Sequence, residues 1–376
     1  MRKDGTAMKE DRPCRPLAVV GAGAAGLSAA LWAARLGWMP AVFEAADRPG
    51  GQLQAVHQPV IDYLGLPVRD GPELIRHFLA HLRQAGVSIA LGVPIAGILP
   101  RTEPRPHFLL VPGRKTGPPD AGAPASTDRK NGGASVLCAR AVILATGTRP
   151  RRLGVPGEAL IAESAWSSTS RNAERFRGRA VVIVGGGDRA VEGALNVAPH
   201  AAVVTLLVRG AALKARSALR QKLPSHRNIR IFYRTVIRRI EASGGSGPRY
   251  RLLLAASDAP PSEAGAGRTV ESLPPVLIAD DVLLRIGMEP VLPPIWTEAS
   301  EPGRAQAEDV FWAADEAMPE KTVPEGIWIA GDAALPASER SVAAAVGSGM
   351  QAAKRAVLWL EAQEILSEAD APEAGG

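Results

Sequence analysis

Two glycine-rich turns in this sequence have the residue types and spacing to hold a phosphate-containing nucleotide. The first is GAGAAG at Gly21–Gly26, and the second is GGGDRA at Gly185–Ala190. In such a turn the first glycine permits a sharp bend and the second lets a pyrophosphate approach the backbone. The third position must be small so that the following helix packs closely on the strand. That helix directs free N–H groups and the positive end of its dipole at the phosphates.

The residues that end the next strand-like run after each turn differ in charge. Glu44 ends the run PAVFEA, where a carboxylate can accept hydrogen bonds from both hydroxyls of an adenosine ribose. Arg209 ends the run AVVTLLVRG, where a guanidinium can pair with a 2′-phosphate. The first turn therefore predicts a dinucleotide with an unmodified ribose. The second favours NADPH, with Lys214 and Arg216 as further cations and NADH as the alternative.

The elements that must position these turns occur twice. The text LAVVGAGAAGLSAALWAARLG starts at Leu17, and AVVIVGGGDRAVEGALNVAPH starts at Ala180. Each is a β-branched strand, a glycine turn and a helical segment, followed by another strand. Two βαβ copies predict two nucleotide-binding domains of the α/β class. Strand-like runs around the Pro- and Gly-rich segments 111–135 and 255–272 predict a β-meander with a long loop in each domain.

Length and composition narrow the function classes. The 376 residues suggest two or three domains, and no apolar run approaches the roughly 18 residues of a membrane span. The charged N-terminus lacks the apolar region of a secretory signal, which predicts a cytoplasmic protein with no membrane partner. The net charge is +6, but the basic residues are spread out and are not interleaved with aromatics. This disfavours nucleic acid and favours attraction of an acidic redox protein.

Cysteine and histidine are too sparse to predict a disulfide framework or a metal site. Cys14 and Cys138 are the only cysteines, and they are far apart in the sequence. We therefore predict two separate structural or exposed thiols. His77 and His81 have the spacing of a metal pair on a helix, but no third ligand accompanies them. We predict an ordinary histidine pair and no metal ion.

Beyond the glycine turns, the sequence resembles the thioredoxin-reductase-like flavoproteins, a group that includes one class of ferredoxin/flavodoxin–NADP reductases. The resemblance extends from about Leu17 to about Leu360 and implies FAD at the first turn. The motifs that carry it are GGQL at Gly50–Leu53, VIDYLGLP at Val60–Pro67, ILATGTRPR at Ile143–Arg151, GIWIAGDAA at Gly326–Ala334 and ERSVAAAVGSGMQAA at Glu339–Ala353.

This resemblance implies an α/β fold of two Rossmann-like, three-layer ββα nucleotide-binding domains, with the NAD(P) domain inserted into the FAD domain. The FAD domain is predicted at 17–152 and 285–366 and the NAD(P) domain at 153–284, with a flexible N-terminus at 1–16 and a tail at 367–376. The resemblance also implies a homodimer and an NAD(P) domain that can rotate.

The candidate cofactor residues follow from these motifs. For FAD they are Gly21, Gly23, Ala24, Ala25, Gly26, Glu44, Ala45, Gly51, Gln52, Leu53, Asp62, Ala145, Thr146, Gly147, Gly331, Asp332, Arg340, Ser341 and Val342. For NAD(P) they are Gly185, Gly187, Asp188, Arg189, Ala190, Glu192, Arg209, Lys214 and Gly287.

One feature of the disulfide-reducing members is missing. In those members a Cys-x-x-Cys pair lies just before the second glycine turn, where this sequence has Ser168 and Arg171. Serine cannot form the thiolate that accepts electrons from flavin. The surrounding stretch SSTSRNAERFRGR is either solvated or docks an acidic carrier through its arginines, Arg171, Arg175, Arg177 and Arg179.

The sequence thus predicts an FAD-dependent NAD(P)H oxidoreductase that passes electrons to an external ferredoxin- or flavodoxin-type carrier. No catalytic side chain is required, because the cofactor performs the chemistry and the protein supplies position and electrostatics. Two alternatives stay open. One is a disulfide-reductase-like enzyme or an oxidase that uses the cysteines of a partner. The other is a flavin-bound sensor with little turnover.

Overall fold

The chain divides into two compact units. One unit is Met1–Arg149 together with Glu289–Gly376, and the other is Pro150–Met288. The chain passes between them through β7 (Thr148–Pro150) and β15 (Met288–Pro290), two short strands that pair with each other. The structure is a computed structural model that describes residues 14–103, 105–113, 136–162, 165–166, 168–170, 172–244, 249–257, 274–296 and 323–369.

The first unit contains a sheet with parallel strands at its centre. Its further elements are β1 (Arg15–Val20), α1 (Ala24–Arg35), β2 (Ala41–Glu44), α2 (Gly71–Gln84), β3 (Ile89–Leu91), β4 (Ile95–Arg101), β5 (His107–Pro112), β6 (Leu137–Leu144), β16 (Ile327–Ile329) and α5 (Val342–Ala369). The strands β3, β2, β1 and β6 lie side by side and parallel, and β16 pairs parallel with the end of β6. The meander strands β4 and β5 continue from β6 in antiparallel pairing.

The residues of β1 alternate between two hydrophobic clusters. Leu17 and Val19 belong to the cluster built with α1 and α5. Ala18 and Val20 belong to the cluster on the meander side, which includes Phe108. Because successive side chains of a strand point to opposite faces, a strand that is apolar at every position must be covered on both faces. The first unit therefore has three layers.

The small residues of α5 allow it to pack closely on α1. A Cβ placed on Gly349 would overlap the carbonyl oxygen of Ala25. The Ser28 hydroxyl donates to the carbonyl oxygen of Val346 at 2.7 Å. The glycine and alanine residues of this last helix are thus required for helix packing.

The second unit repeats this arrangement. Its elements are β8 (Ala180–Val184), α3 (Asp188–Val197), β9 (Val203–Leu207), α4 (Ser217–Arg220), β10 (Ile229–Phe232), β11 (Thr235–Ala242), β12 (Tyr250–Ala256), β13 (Val276–Ala279) and β14 (Asp281–Leu284). The strands β10, β9, β8 and β14 form a parallel sheet, and β11, β12 and β13 an antiparallel one. Val181 and Ile183 pack towards α3, whereas Val182 and Val184 pack towards the meander. The predicted fold class is confirmed.

Several predicted bounds differ from the structure. The terminal segment 1–16 already includes Arg15, the first residue of β1, because β1 pairs with β6 from that residue onward. The tail 367–376 begins inside α5, which continues to Ala369 through the good helix formers of EILSEA. The predicted NAD(P) domain, 153–284, lies within the bounds of the second unit.

The two predicted meander loops lie mostly outside the described residues. Residues 114–135 and 258–273 carry no description, but β5 pairs antiparallel with β6 and β12 with β13. Val111 and Ala255, which were assigned to the loops, are strand residues. They extend the strands because each is paired in its ladder, Val111 with Gly97 and Ala255 with Val236.

The prediction of two separate thiols is wrong. Cys14 and Cys138 form a disulfide whose Cα atoms are 4.5 Å apart, across a sequence separation of 124. The parallel register of β1 and β6 pairs Arg15 with Ala139, which places the preceding residue of each strand side by side. Spacing along the chain could not reveal a pair that only strand pairing brings together.

Candidate functional site

The first glycine turn forms a tight cradle at the carboxyl ends of β1 and β6. Gly21 has φ of +102°, and a Cβ on it would overlap the carbonyl oxygen of Ala145. A Cβ on Gly26 would overlap the carbonyl oxygen of Gly21 itself. At Gly23 a Cβ would meet nothing within 4 Å. The turn is thus closely packed at its first and third glycines and open at the second, as a bound pyrophosphate requires.

Glu44 lies beside this cradle at the end of β2. Its carboxylate accepts hydrogen bonds from the backbone N–H of Ala22 at 2.6 Å and of Ala46 at 2.9 Å. These bonds orient the carboxylate against the turn. A carboxylate has about four acceptor positions, so two backbone bonds leave capacity for ribose hydroxyls.

The segment Gly50–Leu53 folds over the open side of the cradle. The N–H of Gly50 donates to the carbonyl oxygen of Ala22 at 2.7 Å. A Cβ on Gly51 would lie 3.3 Å from the Cα of Gly23. Two residues separated by more than twenty positions in the sequence therefore approach each other where a pyrophosphate would pass.

The late GD motif and the start of α5 meet the same helix. A Cβ on Gly331 would lie 2.7 Å from the Cβ of Ala25, and the N–H of Gly331 donates to the Ser348 hydroxyl at 3.0 Å. Ser341 caps α5, since its hydroxyl accepts from the N–H of Ala344 at 3.1 Å. Among the other candidates, Asp332 lies in the helical turn after β16, Val342 begins α5, and the Arg340 Nε donates to the carbonyl oxygen of Leu335 at 3.0 Å.

The remaining FAD candidates lie at varied distances along the same segments. The Gln52 amide donates to the Thr148 hydroxyl at 3.0 Å, and Leu53 is buried in a core cluster. Asp62 is exposed in the loop that the Val60–Val68 bridge closes, so its role stays a prediction. Ala24 begins α1, Ala45 follows β2, and Gly147 lies between β6 and β7.

Thr146 provides a test of whether this cradle fits a ligand. Among the described residues, its hydroxyl is the buried side-chain polar atom that has no hydrogen-bond partner. The Cα of Thr146 lies 3.2 Å from the Cβ position of Gly21, so the residue adjoins the turn. A buried unsatisfied hydroxyl costs free energy unless a ligand satisfies it. The open cradle and this hydroxyl together fit a dinucleotide such as FAD.

Replacing Thr146 by valine should separate ligand binding from folding. Valine keeps the shape and removes the unpartnered hydroxyl, so we expect the apoprotein to be at least as stable as wild type. The dissociation constant of FAD should rise by roughly tenfold, the value of one lost hydrogen bond of about 1 kcal/mol or somewhat more. Fluorescence titration of apoprotein with FAD measures this, and unchanged affinity would contradict the assignment.

The second glycine turn repeats the cradle at the carboxyl ends of β8 and β14. Gly185 has φ of +139°, and a Cβ on it would overlap the carbonyl oxygen of Arg285. A Cβ on Gly187 would meet nothing within 4 Å. Ala190 is fully buried, with its Cβ 3.3 Å from the Gly185 position. This turn is therefore also closed at its first and third positions and open at the second.

A basic loop after β9 folds onto this second turn. The N–H groups of Lys214 and Ala215 donate to the carbonyl oxygen of Gly186 at 2.8 and 3.1 Å. Asp188 accepts from the Arg216 N–H at 2.7 Å and pairs with the Arg216 guanidinium at 2.6 Å. Asp188 and Arg216 thus hold the loop in place and present the exposed side chains of Lys214 and, at the loop's start, Arg209.

A residue that the sequence motifs did not indicate is Arg285, which follows β14. Its guanidinium Nη1 donates to the carbonyl oxygens of Ala165 at 3.1 Å and Leu284 at 2.7 Å. Burial, and secondly the positive charge of Arg189, lower the pKa of Arg285 below its ordinary value. The available signal was a charged residue at the end of the apolar run DDVLL. Of the other candidates, Glu192 is exposed on α3, and the carbonyl oxygen of Gly287 accepts from the Arg151 N–H at 3.1 Å.

Two arginines of the SSTSRNAERFRGR stretch have a structural role. Arg179 lies 2.5 Å and Arg175 3.5 Å from the carboxylate of Asp281, whose side chain is 3% exposed. Arg177 pairs with Glu174 at 3.5 Å on the surface. The prediction that these arginines are solvated or free to dock a carrier is therefore wrong for Arg175 and Arg179, because a buried carboxylate must be paired. Ser167 and Arg171 lie outside the described residues.

The chain matches the family of pyridine nucleotide-disulphide oxidoreductases over residues 15–357. It belongs to this family. The thioredoxin reductase of Bacillus subtilis (strain 168) is 27% identical over 91% of this chain and 94% of its own length. An alkyl hydroperoxide reductase of Xanthomonas campestris pv. phaseoli is 33% identical over 57% of this chain, and the match spans only 36% of that relative.

Solved structures show the same fold. The thioredoxin reductase of Lactococcus lactis superposes with a TM-score of 0.64 at 22% identity, covering 93% of this chain and 99% of the other. The bacillithiol disulfide reductase of Bacillus cereus gives a TM-score of 0.64 at 18% identity, covering 92% and 99%. The thioredoxin-reductase-like members of the family bind FAD and NADPH, which are the cofactors predicted from the sequence.

The described parts of the chain lack two further kinds of site. No helix there is long and apolar enough to cross a membrane. No group of three or more histidine, cysteine, aspartate or glutamate side chains there could hold a metal ion.

Proposed function

We propose that the protein is an FAD-dependent NAD(P)H oxidoreductase that passes its electrons to an external acceptor. One observation carries this proposal. Both glycine turns are open cradles, while the only two cysteines, Cys14 and Cys138, are bonded to each other on another part of the first unit. FAD, when bound, supplies the chemistry that accepts an electron pair from a nicotinamide and releases it to a second acceptor.

The position of the disulfide argues against a role as electron relay. Cys14 precedes β1 and Gly21 follows it, so the six residues of β1 separate the disulfide from the cradle. At about 3.3 Å per residue, this strand places the disulfide roughly 20 Å from the glycine turn. Thiol–disulfide exchange requires direct contact between the reacting atoms, which the opposite end of the sheet does not provide.

The residues of the chain bind and orient the cofactors. The first turn and Glu44 hold the adenosine and pyrophosphate of FAD, and the capped start of α5 presents backbone N–H groups to the flavin. The second turn holds the nicotinamide dinucleotide, with Arg209 and Lys214 at its 2′-phosphate. Position and electrostatics are what this arrangement supplies, and no side-chain acid or base is needed.

The acceptor we propose first is a small acidic carrier of the ferredoxin or flavodoxin type. The net charge of +6 would accelerate its encounter with an acidic protein. A partner that brings its own disulfide is the second candidate, since the whole-length relative of Bacillus subtilis is a thioredoxin reductase. In either case the protein itself contributes no reducible cysteine pair in its second unit. The homodimer stays a prediction.

Anaerobic stopped-flow mixing with NADPH and NADH tests the proposal. We expect the flavin absorbance to bleach rapidly with at least one nucleotide. Adding ferredoxin, flavodoxin, oxidised thioredoxin or oxygen to the reduced protein then identifies the acceptor by the rate of reoxidation. Absence of a rapid bleach with both nucleotides would overturn the oxidoreductase and leave the sensor alternative. Reoxidation only by thioredoxin would replace the first acceptor by the second.

Substitution of Arg209 by alanine should remove the preference for NADPH. Loss of a charge-assisted contact with the 2′-phosphate should raise the KM for NADPH by roughly tenfold or more and leave the KM for NADH unchanged. Arg251→Ala, an exposed arginine on β12, is the matched control and should change neither. Equal effects of Arg209→Ala on both nucleotides would contradict the phosphate assignment.

A further inference from the structure

Arg285 is built into the second glycine turn by its backbone. Its N–H donates to the carbonyl oxygen of Val184 at 2.8 Å, which continues the pairing of β14 with β8. Its own carbonyl oxygen occupies the space beside Gly185 that a Cβ would need. Any residue at this position is therefore adjacent to the turn, and here that residue carries a guanidinium.

The Arg285 side chain is held in place beside the turn. Its Nη1 bonds to the carbonyl oxygens of Ala165 and Leu284, and the residue is half-buried. These contacts fix the plane of a guanidinium, which can bind phosphate oxygens with two parallel N–H groups. Because the group is already ordered, little side-chain entropy is lost when an anion binds.

Arg189 brings a second guanidinium to the same place. It is the second residue of α3, two positions after Gly187, and its side chain is exposed. Its charge is close enough to disfavour the charged form of Arg285, in addition to the effect of burial. Two like charges that approach each other in a partly buried site cost free energy until an anion binds between or beside them.

The open position of the turn indicates which anion this is. A Cβ on Gly187 would meet nothing within 4 Å, so the space next to both arginines accepts a group that approaches the backbone. We propose that Arg189 and Arg285 form a two-arginine clamp on the pyrophosphate of the nicotinamide dinucleotide. The clamp rests on the proposed function of this turn and adds two binding residues to it.

This clamp predicts how the protein treats its two nucleotides. NADPH and NADH share the pyrophosphate and differ in the 2′-phosphate, so the clamp contributes equally to both, whereas Arg209 contributes to NADPH alone. Variants of the two groups should therefore separate in opposite ways. Loss at Arg189 or Arg285 weakens both nucleotides by one common factor.

Inhibition of the FAD-loaded enzyme by nucleotide fragments tests the clamp. ADP carries the pyrophosphate without a 2′-phosphate, and 2′-AMP carries the reverse. We expect Arg189→Gln to raise the KM for NADPH and for NADH by the same factor, roughly tenfold. The inhibition constant of ADP should rise by a similar factor and that of 2′-AMP should not change. Arg209→Ala should weaken 2′-AMP and leave ADP unchanged.

The variants at Arg285 complete the test. Arg285→Lys keeps a charge and loses the bidentate geometry, and we expect it to weaken ADP less than Arg285→Gln. If Arg285→Gln does not fold, Arg189→Gln decides, since its side chain is exposed. Unchanged ADP inhibition in Arg189→Gln, or a loss limited to NADPH, would overturn the clamp.

Failure of the clamp and of the proposed function are distinguishable. Calorimetric titration of the FAD-loaded protein with ADP measures binding without any reduction of flavin. Should neither nucleotide bleach the flavin while ADP binding still depends on Arg189, the oxidoreductase fails and the clamp holds. Normal bleaching with ADP binding that is indifferent to both arginines would have the opposite meaning.

Discussion

Replacing Gly26 by alanine is expected to give a protein that is purified without flavin and unfolds at a lower temperature than wild type. The added Cβ would overlap the carbonyl oxygen of Gly21 and lie 3.3 Å from the Cβ of Ala145. Both neighbours belong to backbone that β1 and β6 hold in register, so neither can move without separating α1 from the sheet. Overpacking of this kind costs about 1–3 kcal/mol or more.

Visible absorbance of the purified protein and its thermal unfolding measure the effect. Gly23→Ala is the functional comparison, since its Cβ would meet nothing within 4 Å. We expect it to unfold as the wild-type apoprotein does and to bind FAD more weakly, because the new methyl group stands where the pyrophosphate approaches. Gly347→Ala, in an equally open position on α5, is the control for the substitution itself. Full flavin content in Gly26→Ala would refute the cradle.

Breaking the Cys14–Cys138 disulfide should have the second large effect, and it should act on stability alone. The bond closes a loop across a sequence separation of 124, and loop-closure entropy assigns such a cross-link up to about 5 kcal/mol. We expect a reductant to lower the unfolding temperature of the first unit by several degrees. The rate at which NADPH bleaches the flavin should not change, because the bond lies at the opposite end of β1 from the cradle.

Three variants test this bond without a reductant. Cys14→Ser, Cys138→Ser and the double variant all lose the same cross-link, so their unfolding temperatures should be equal within error. Thiol titration of the denatured wild-type protein should give no free thiol before reduction and two after it. Free thiols in unreduced protein, or additive effects of the two single variants, would show that the cysteines are separate.

Much of the architecture and the cradles could be predicted because their determinants are local. The apolar runs that precede Gly21 and Gly185 predict strands that are covered on both faces, and the glycine spacing predicts sharp turns into helices. Each signal lies within about twenty residues of chain. Steric overlap at Gly26 and open space at Gly23 follow from the same short segment, which is why the structure agrees with the pattern there.

Other features depend on contacts that no local pattern encodes. The Cys14–Cys138 bond depends on the register of two strands, and the pairing of Arg179 with Asp281 on a contact between distant segments. Composition indicated separate thiols and solvated arginines, and in both cases the partner was supplied by another part of the chain.

The site itself divides in the same way. The sequence by itself determined the two nucleotide turns, the charges of Glu44 and Arg209 beside them, and the lack of a cysteine pair before the second turn. Only the tertiary structure decided that Arg285 adjoins Gly185 and that the single cysteine pair lies away from the cradle. The reason is physical: strand and turn formation follow from short-range sterics and periodicity, whereas the neighbours of a side chain depend on which strands pair and in which register.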